Sequence, residues 1–153
     1  MHKYEAGISW KRDGAKFVDN RYSRGHEWSF DGGVKIRASS SPSGVPVPYS
    51  VVEAVDPEEA LVVAAASCHM LWFLSIAAKR GYVVESYFDN AVGIMEKNSE
   101  GKLAITRIML RPKIEFSVER APSTEELRSL HKLAHEECYI ANSLKSEVVV
   151  EDV

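Results

Sequence analysis

"AAASCHMLWFLSIAAKR", residues 64–80, is the centre of the longest apolar run in the chain. It decides the fold, because the signals around it enclose a helix too long and too apolar to lie on a surface. Asp56 is a good N-cap, Pro57 suits the first helical position, and Glu59 completes a capping-box pattern. At the other end Lys79 and Arg80 suit the C-terminal end of the helix dipole, and Gly81 suits the position just beyond. The spacing predicts a helix over 57–80, a rod of roughly 36 Å. From Ala60 to Ala78 it is apolar on almost every side, so a sheet or a second subunit must surround it. Its length raises the question of a membrane span. Ser67, Cys68, His69 and Ser75 within it, and the lack of a second span, argue for a core helix.

Outward from that helix the chain alternates strand and turn signals. Before it, "YEAGISW" and "EWSFDGGVKIRAS" alternate apolar and polar residues, with turns expected at "KRDG" and at Asp31-Gly32-Gly33. "SSSPSGVPVPYSVVEAV" is expected to be an exposed connection. After the helix, residues 82–119 predict a long hairpin about "NSEG". "APSTEELRSLHKLAHEEC" predicts a second helix, with Ser123 and Glu126 as its capping box and Leu127, Leu130, Leu133 and Ala134 on its apolar face. "SEVVVEDV" predicts a last strand. Strands, helix, strands, helix and strand in that order specify an α+β fold rather than a βαβ series. No repeat or low-complexity tract divides it, so one domain over 1–153 is expected.

Composition narrows the function. With 153 residues, 45% hydrophobic and 27% charged, the chain can bury a core. A net charge of −3, with both signs interspersed, offers no nucleic-acid surface. "MHKYEAGISWKRDG" has no apolar segment of the kind a signal peptide carries, so a cytoplasmic location is expected. There two cysteines are more often catalytic, redox-active or metal-binding than structural.

Cys68 in mid-helix has two readings, packing and chemistry. Burial alone would raise its pKa and make it inert. The helix dipole fades within a turn of the end, so a reactive Cys68 needs a cation from elsewhere, and "RYSRGHEW" offers Arg21 and Arg24. Met70, Leu71, Trp72 and Phe73 can be core or an apolar lining. His131, His135 and Cys138, at i, i+4 and i+7, share one helical face and could hold zinc. Cys138 can equally be a core residue.

"DPEEALVVAAASCHM" (56–70) and "AHEECYIANS" (134–143) together resemble the two cysteine motifs of the OsmC and organic hydroperoxide resistance superfamily. The order of elements is similar along nearly the whole chain. The resemblance implies an intertwined homodimer in which a six-stranded antiparallel sheet wraps around long central helices. It also implies a thiol-dependent peroxidase with no cofactor, no resident metal, and no nucleic-acid or membrane partner. On that resemblance Cys68 is the peroxidatic thiolate, Cys138 the resolving thiol and Glu58 the family's glutamate. Arg24, with Arg21 in reserve, is the arginine. The substrate would be an organic hydroperoxide and the reductant an external dithiol. Ten helical positions between Glu58 and Cys68 span about 15 Å, so a shared site implies a dimer interface. Two departures mark a separate branch: His69 follows Cys68 where the hydroperoxide enzymes carry an apolar residue, and Tyr139 follows Cys138 where they carry proline. An orienting or structural role is expected for His69. The alternative reading is a non-catalytic module of the same fold that binds a small apolar ligand, or a metal through His131, His135 and Cys138.

Overall fold

The computed structural model describes residues 1–151. Its elements are β1 (Ala6–Ser9), β2 (His26–Phe30), β3 (Lys35–Ala38), α1 (Pro57–Lys79), β4 (Val84–Asp89), β5 (Val92–Lys97), β6 (Leu103–Leu110), β7 (Pro112–Phe116), α2 (Thr124–Glu137), α3 (Tyr139–Ser143) and β8 (Glu147–Val150). The fold is mixed α+β, as the element order predicts. The chain forms two compact units, Met1–Ala60 and Leu61–Val153.

In the first unit β1, β2 and β3 form an antiparallel sheet in that order. The expected turn at Asp31-Gly32-Gly33 closes β2 onto β3. Phe30 and Val34 pair across it, and Gly33 takes a φ of 84° that a side chain would oppose. "KRDG" also turns, with Asp13 and Gly14 both at positive φ, but it does not join two strands directly. The whole segment 10–25 connects β1 to β2, held by Trp10, Phe17 and Tyr22 packed ring against ring. The connection after β3 is less exposed than its composition suggests. Ser39 and Ser50 are buried, and the Ser39 hydroxyl accepts from the Val51 N–H at 3.0 Å. The backbone satisfies Ser39 in this way, whereas the Ser40 and Ser50 hydroxyls are buried without a partner among the described residues. β1 by contrast is exposed along its whole length, Ile8 included.

In the second unit the long hairpin is present but broken in two. β4 pairs with β7, while β5 pairs with β6. The break falls at residues 90–91 and at Arg111, where Asp89 Oδ1 accepts from the Arg111 N–H at 2.8 Å. β8 then joins β6 in parallel, which the expectation of all-antiparallel pairing missed. A parallel return needs a long crossover, and β7, α2 and α3 supply it. Within one chain the sheets therefore have three, two and three strands. The predicted last strand ends at Val150, and its final residues 152 and 153 lie outside the described residues.

Both predicted capping boxes form. The Asp56 carboxylate accepts from the Glu59 N–H at 2.8 Å while Glu59 accepts from the Asp56 N–H, and Ser123 and Glu126 repeat the exchange at α2. Gly81 follows α1 at a φ of 80°. Along α1, burial runs in stripes four residues apart. Ala65, His69, Phe73 and Ala77 are buried; Ala64, Cys68, Trp72 and Ile76 are half-buried; Val63, Ser67, Leu71 and Ser75 are exposed. The buried stripe meets two clusters. Phe73 and Ala77 pack with Tyr82, Leu130 and Ala134, and Ala65 packs with Ile108, Leu110 and Val148. Gly93 of β5 lets that strand close on α1, since a Cβ there would stand 2.6 Å from Val62 Cγ2. By length and composition α1 could cross a membrane; here it packs as a core helix along one stripe and leaves Val63 and Leu71 in the open.

Candidate active site: two thiols between α1 and the α2–α3 junction

α1 carries Cys68 on its half-buried stripe, one residue away from the buried one. α2 carries a buried stripe of Leu130, His131 and Ala134, and Cys138 ends it. Cys138 leaves helical geometry at φ −68° and ψ 107°, and serves both as the C-cap of α2 and as the N-cap of α3. Its sulfur accepts from the Ala141 N–H at 3.4 Å. This break turns the side chain toward α1, where the Cys138 thiol hydrogen-bonds with Cys68. Both cysteines are free. Cys138 is fully buried, and its pKa is raised, first by burial and further by the hydrogen bond and charge of Cys68, against the N–H donors of Ala141 and Ile140. Cys138 therefore keeps its proton and offers it to Cys68.

Two more contacts join α1 to the same junction. His69 Nε2 and His131 Nδ1 are 3.0 Å apart in two nearly coplanar rings, both buried. Burial pushes each imidazole down to about 4, and for His69 the nearby charges of His131 and His135 add to it. Both are neutral at pH 7, so one ring donates to the other. His69 Nδ1 is buried without a partner among the described residues. One turn along α1 from Cys68, Trp72 meets Tyr139 edge to face with ring centroids 5.5 Å apart.

The remaining predicted residues fall as follows. Phe73 belongs wholly to the core and Leu71 points away on the exposed stripe, so of the four apolar residues considered as a lining only Trp72 shares the stripe of Cys68. The zinc set does not converge: His131 is committed to His69, Cys138 to Cys68, and His135 is exposed. Among the described residues no group of three or more His, Cys, Asp or Glu could hold a metal ion. In the first unit the Arg24 guanidinium lies 3.8 Å from the Tyr22 ring centroid. It donates to the carbonyls of Asn20 and Tyr22 and, at 2.7 Å, to Asn20 Oδ1. Arg21 is exposed. Glu58 Oε2 is buried without a partner among the described residues.

The pairing of His69 with His131 escaped the sequence reading, which grouped His131 with His135. The signal was present. His131 falls on the stripe of Leu127, Leu130, Ala134 and Cys138, at offsets of three, four and seven that define the inner face of α2, and His135 falls one step off it.

A family model described as OsmC-like protein matches residues 51–151. Among solved structures, an OsmC-like protein of unknown function from Vibrio cholerae is 57% identical, with a TM-score of 0.97 and all of both chains covered. An organic hydroperoxide resistance protein from Elizabethkingia anophelis is 14% identical, with a TM-score of 0.70, covering 99% of this chain and 94% of its own. The organic hydroperoxide resistance protein OhrB of Bacillus subtilis is also 14% identical, with a TM-score of 0.64, covering 97% and 95%. At these low identities the likeness is one of fold. No curated protein matches the sequence.

Proposed function

This chain belongs to the OsmC-like protein family, and from that premise we propose that it is a thiol-dependent peroxidase that reduces organic hydroperoxides in the cytoplasm. The observation that carries the reading is the neighbouring pair of free thiols, Cys68 half-buried and Cys138 buried. Relatives of the same fold named for organic hydroperoxide resistance support it.

The chemistry follows from the asymmetry of the pair. The Cys68 thiolate attacks the terminal oxygen of ROOH and the O–O bond breaks. Sulfur is oxidised to Cys68–SOH, and the departing alkoxide takes a proton to become ROH. Cys138, still a thiol, then attacks that sulfur. The S–S bond forms, and the hydroxyl leaves with the Cys138 proton as water. An external dithiol reduces the disulfide by exchange and returns both thiols.

Glu58 and Arg24 complete the proposed site. A guanidinium beside Cys68 supplies a permanent positive charge, and a carboxylate fixes its fork by two hydrogen bonds. The unpartnered Glu58 Oε2 is an acceptor of that kind. Since ten helical positions separate Glu58 from Cys68, about 15 Å of rise, the set is assigned to a homodimer in which one chain's Glu58 and Arg24 serve the other's Cys68. The exposed β1 strand and the uncovered Val63 and Leu71 are surfaces that a second copy would cover. Arg24 must exchange its contacts with Asn20 and Tyr22 to take this role.

Treating the reduced protein with cumene hydroperoxide should remove both titratable thiols per chain, and dithiothreitol should restore them. Cys68→Ser should end peroxide consumption. Thiols untouched by excess hydroperoxide would refute the reading.

A further inference from the structure

Three contacts tie α1 to the α2–α3 junction: His69 to His131, Cys68 to Cys138, and Trp72 to Tyr139. They differ in openness. The histidine contact is sealed in the core, and Cys138 is sealed behind Cys68. The aromatic contact is not, for Trp72 is half-buried and Tyr139 is 65% exposed. A peroxide reaching Cys68 must therefore come along the half-buried stripe of α1. On that stripe the neighbours of Cys68 at four residues' distance are Ala64 and Trp72, each about 6 Å of rise away. Ala64 offers a methyl group. Trp72 offers an indole with the Tyr139 ring set against its edge.

Resting on the peroxidase reading above, we infer that the Trp72–Tyr139 pair is the specificity element of this site and selects hydroperoxides that carry an aromatic ring. The terminal oxygen must meet the sulfur, so the organic group extends roughly one helical turn away, the distance to the rings. A flat ring adds to an existing edge-to-face pair as a third member at the usual centroid spacing of about 4.5–7 Å. A compact alkyl group has no quadrupole to match and less surface to bury. Hydrogen peroxide has no organic group at all and gains nothing. The backbone break at Cys138 sets the direction of Tyr139, so the residue that brings the second sulfur into reach also aims the ring.

The test compares kcat/KM for cumene hydroperoxide, tert-butyl hydroperoxide and hydrogen peroxide in the wild type, Tyr139→Phe and Tyr139→Ala, with dithiothreitol as reductant. Tyr139→Ala should lower the cumene-to-tert-butyl ratio roughly three- to tenfold, the range an aromatic pair is worth. Each kcat/KM is read relative to that for hydrogen peroxide, which has no organic group, so that any general loss of activity in a variant divides out. Tyr139→Phe, which keeps the ring, should keep the ratio. A ratio indifferent to the ring in an active enzyme, or an equal loss for all three peroxides, would overturn the inference alone. A wild type inert toward all three would overturn the peroxidase reading and this inference with it.

Discussion

Lowering the pH from 7 to 4.5 should destabilise this protein by about 2.5 kcal/mol through one buried imidazole. Titration of His69 from 6.5 down to about 4 defines the window. An unfolded chain protonates that ring near 6.5 and the folded one only near 4. Between those values the unfolded state binds more protons, so stability falls as the solution is acidified and is fully present above about 7. At 1.36 kcal/mol per unit the full effect is about 3.4 kcal/mol, of which some 2.5 is spent by pH 4.5. His131 is pushed to about 4 by burial alone and adds a loss of the same sign and similar size, and since each ring's charge opposes the other's, the folded pair resists protonation all the more. The other titratable and cationic groups near the pair are His135, Arg128 and Lys132 on α2 and Glu147 on β8, around a cleft of about 430 Å³ that His131 lines. The assay is urea unfolding at pH 7 and pH 4.5, wild type against the double variant His69→Gln, His131→Gln. The amide side chains can still hydrogen-bond but cannot titrate. The wild type should lose about 5 kcal/mol more than the variant over this interval, about 2.5 for each ring. Parallel losses would refute the argument, for the histidine pair would then carry none of the acid sensitivity.

Other perturbations test the fold, the assembly and the resolving role. Asp56→Ala and Ser123→Ala each remove one side of a capping box and should each cost about 1 kcal/mol by denaturant unfolding. An unchanged midpoint would show that the boxes are ornamental. Light scattering should find a dimer at micromolar concentration, and Leu71→Glu, which charges an exposed apolar stripe, should shift it to monomer. A wild-type monomer would sink the shared-site proposal. Cys138→Ser should leave Cys68 unresolved, so that excess hydroperoxide drives it to sulfinic acid, visible by mass spectrometry. A Cys68 that stays reduced in that variant would deny it the peroxidatic role.

Local signals carried most of the architecture. The caps of α1 and α2 form as written because a cap is made within four residues, and turns at Gly33 and Gly101 follow from backbone freedom that other residues lack. What escaped was long-range. The parallel seat of β8 beside β6 depends on a crossover of 36 residues, from Leu110 to Glu147, and no periodicity in "SEVVVEDV" distinguishes parallel from antiparallel. The break of the long hairpin is invisible for the same reason, since both halves keep a strand-like pattern. At the site, the two cysteines were legible as candidates but not as neighbours. Seventy residues separate them, and only the packing of α1 against α2 brings them together. The histidines were misgrouped because helical spacing reports a shared face and not what lies across from it.

The position of Cys138 is what makes the two thiols a workable pair. Bond formation requires the sulfurs to move from hydrogen-bond contact to about 2 Å. Two residues on rigid, packed helices could close that gap only by shifting their helices, and α2 is anchored by Leu130, His131 and Ala134 in the core. Cys138 stands instead where α2 has ended and the short α3 begins, in extended backbone geometry, with its sulfur capping α3 through a single 3.4 Å contact. A small rotation there costs that contact and leaves the inner face of α2 in place. His69 and His131 resist the complementary movement, since α1 cannot slide past α2 without parting two buried rings, and the other ring nitrogen of His69 has no partner among the described residues. One contact holds the helices at fixed spacing while the neighbouring one is free to close. A disulfide between Cys68 and Cys138, the bond the proposed cycle requires, could thus close without repacking the core, with the histidine contact holding the two helices in register.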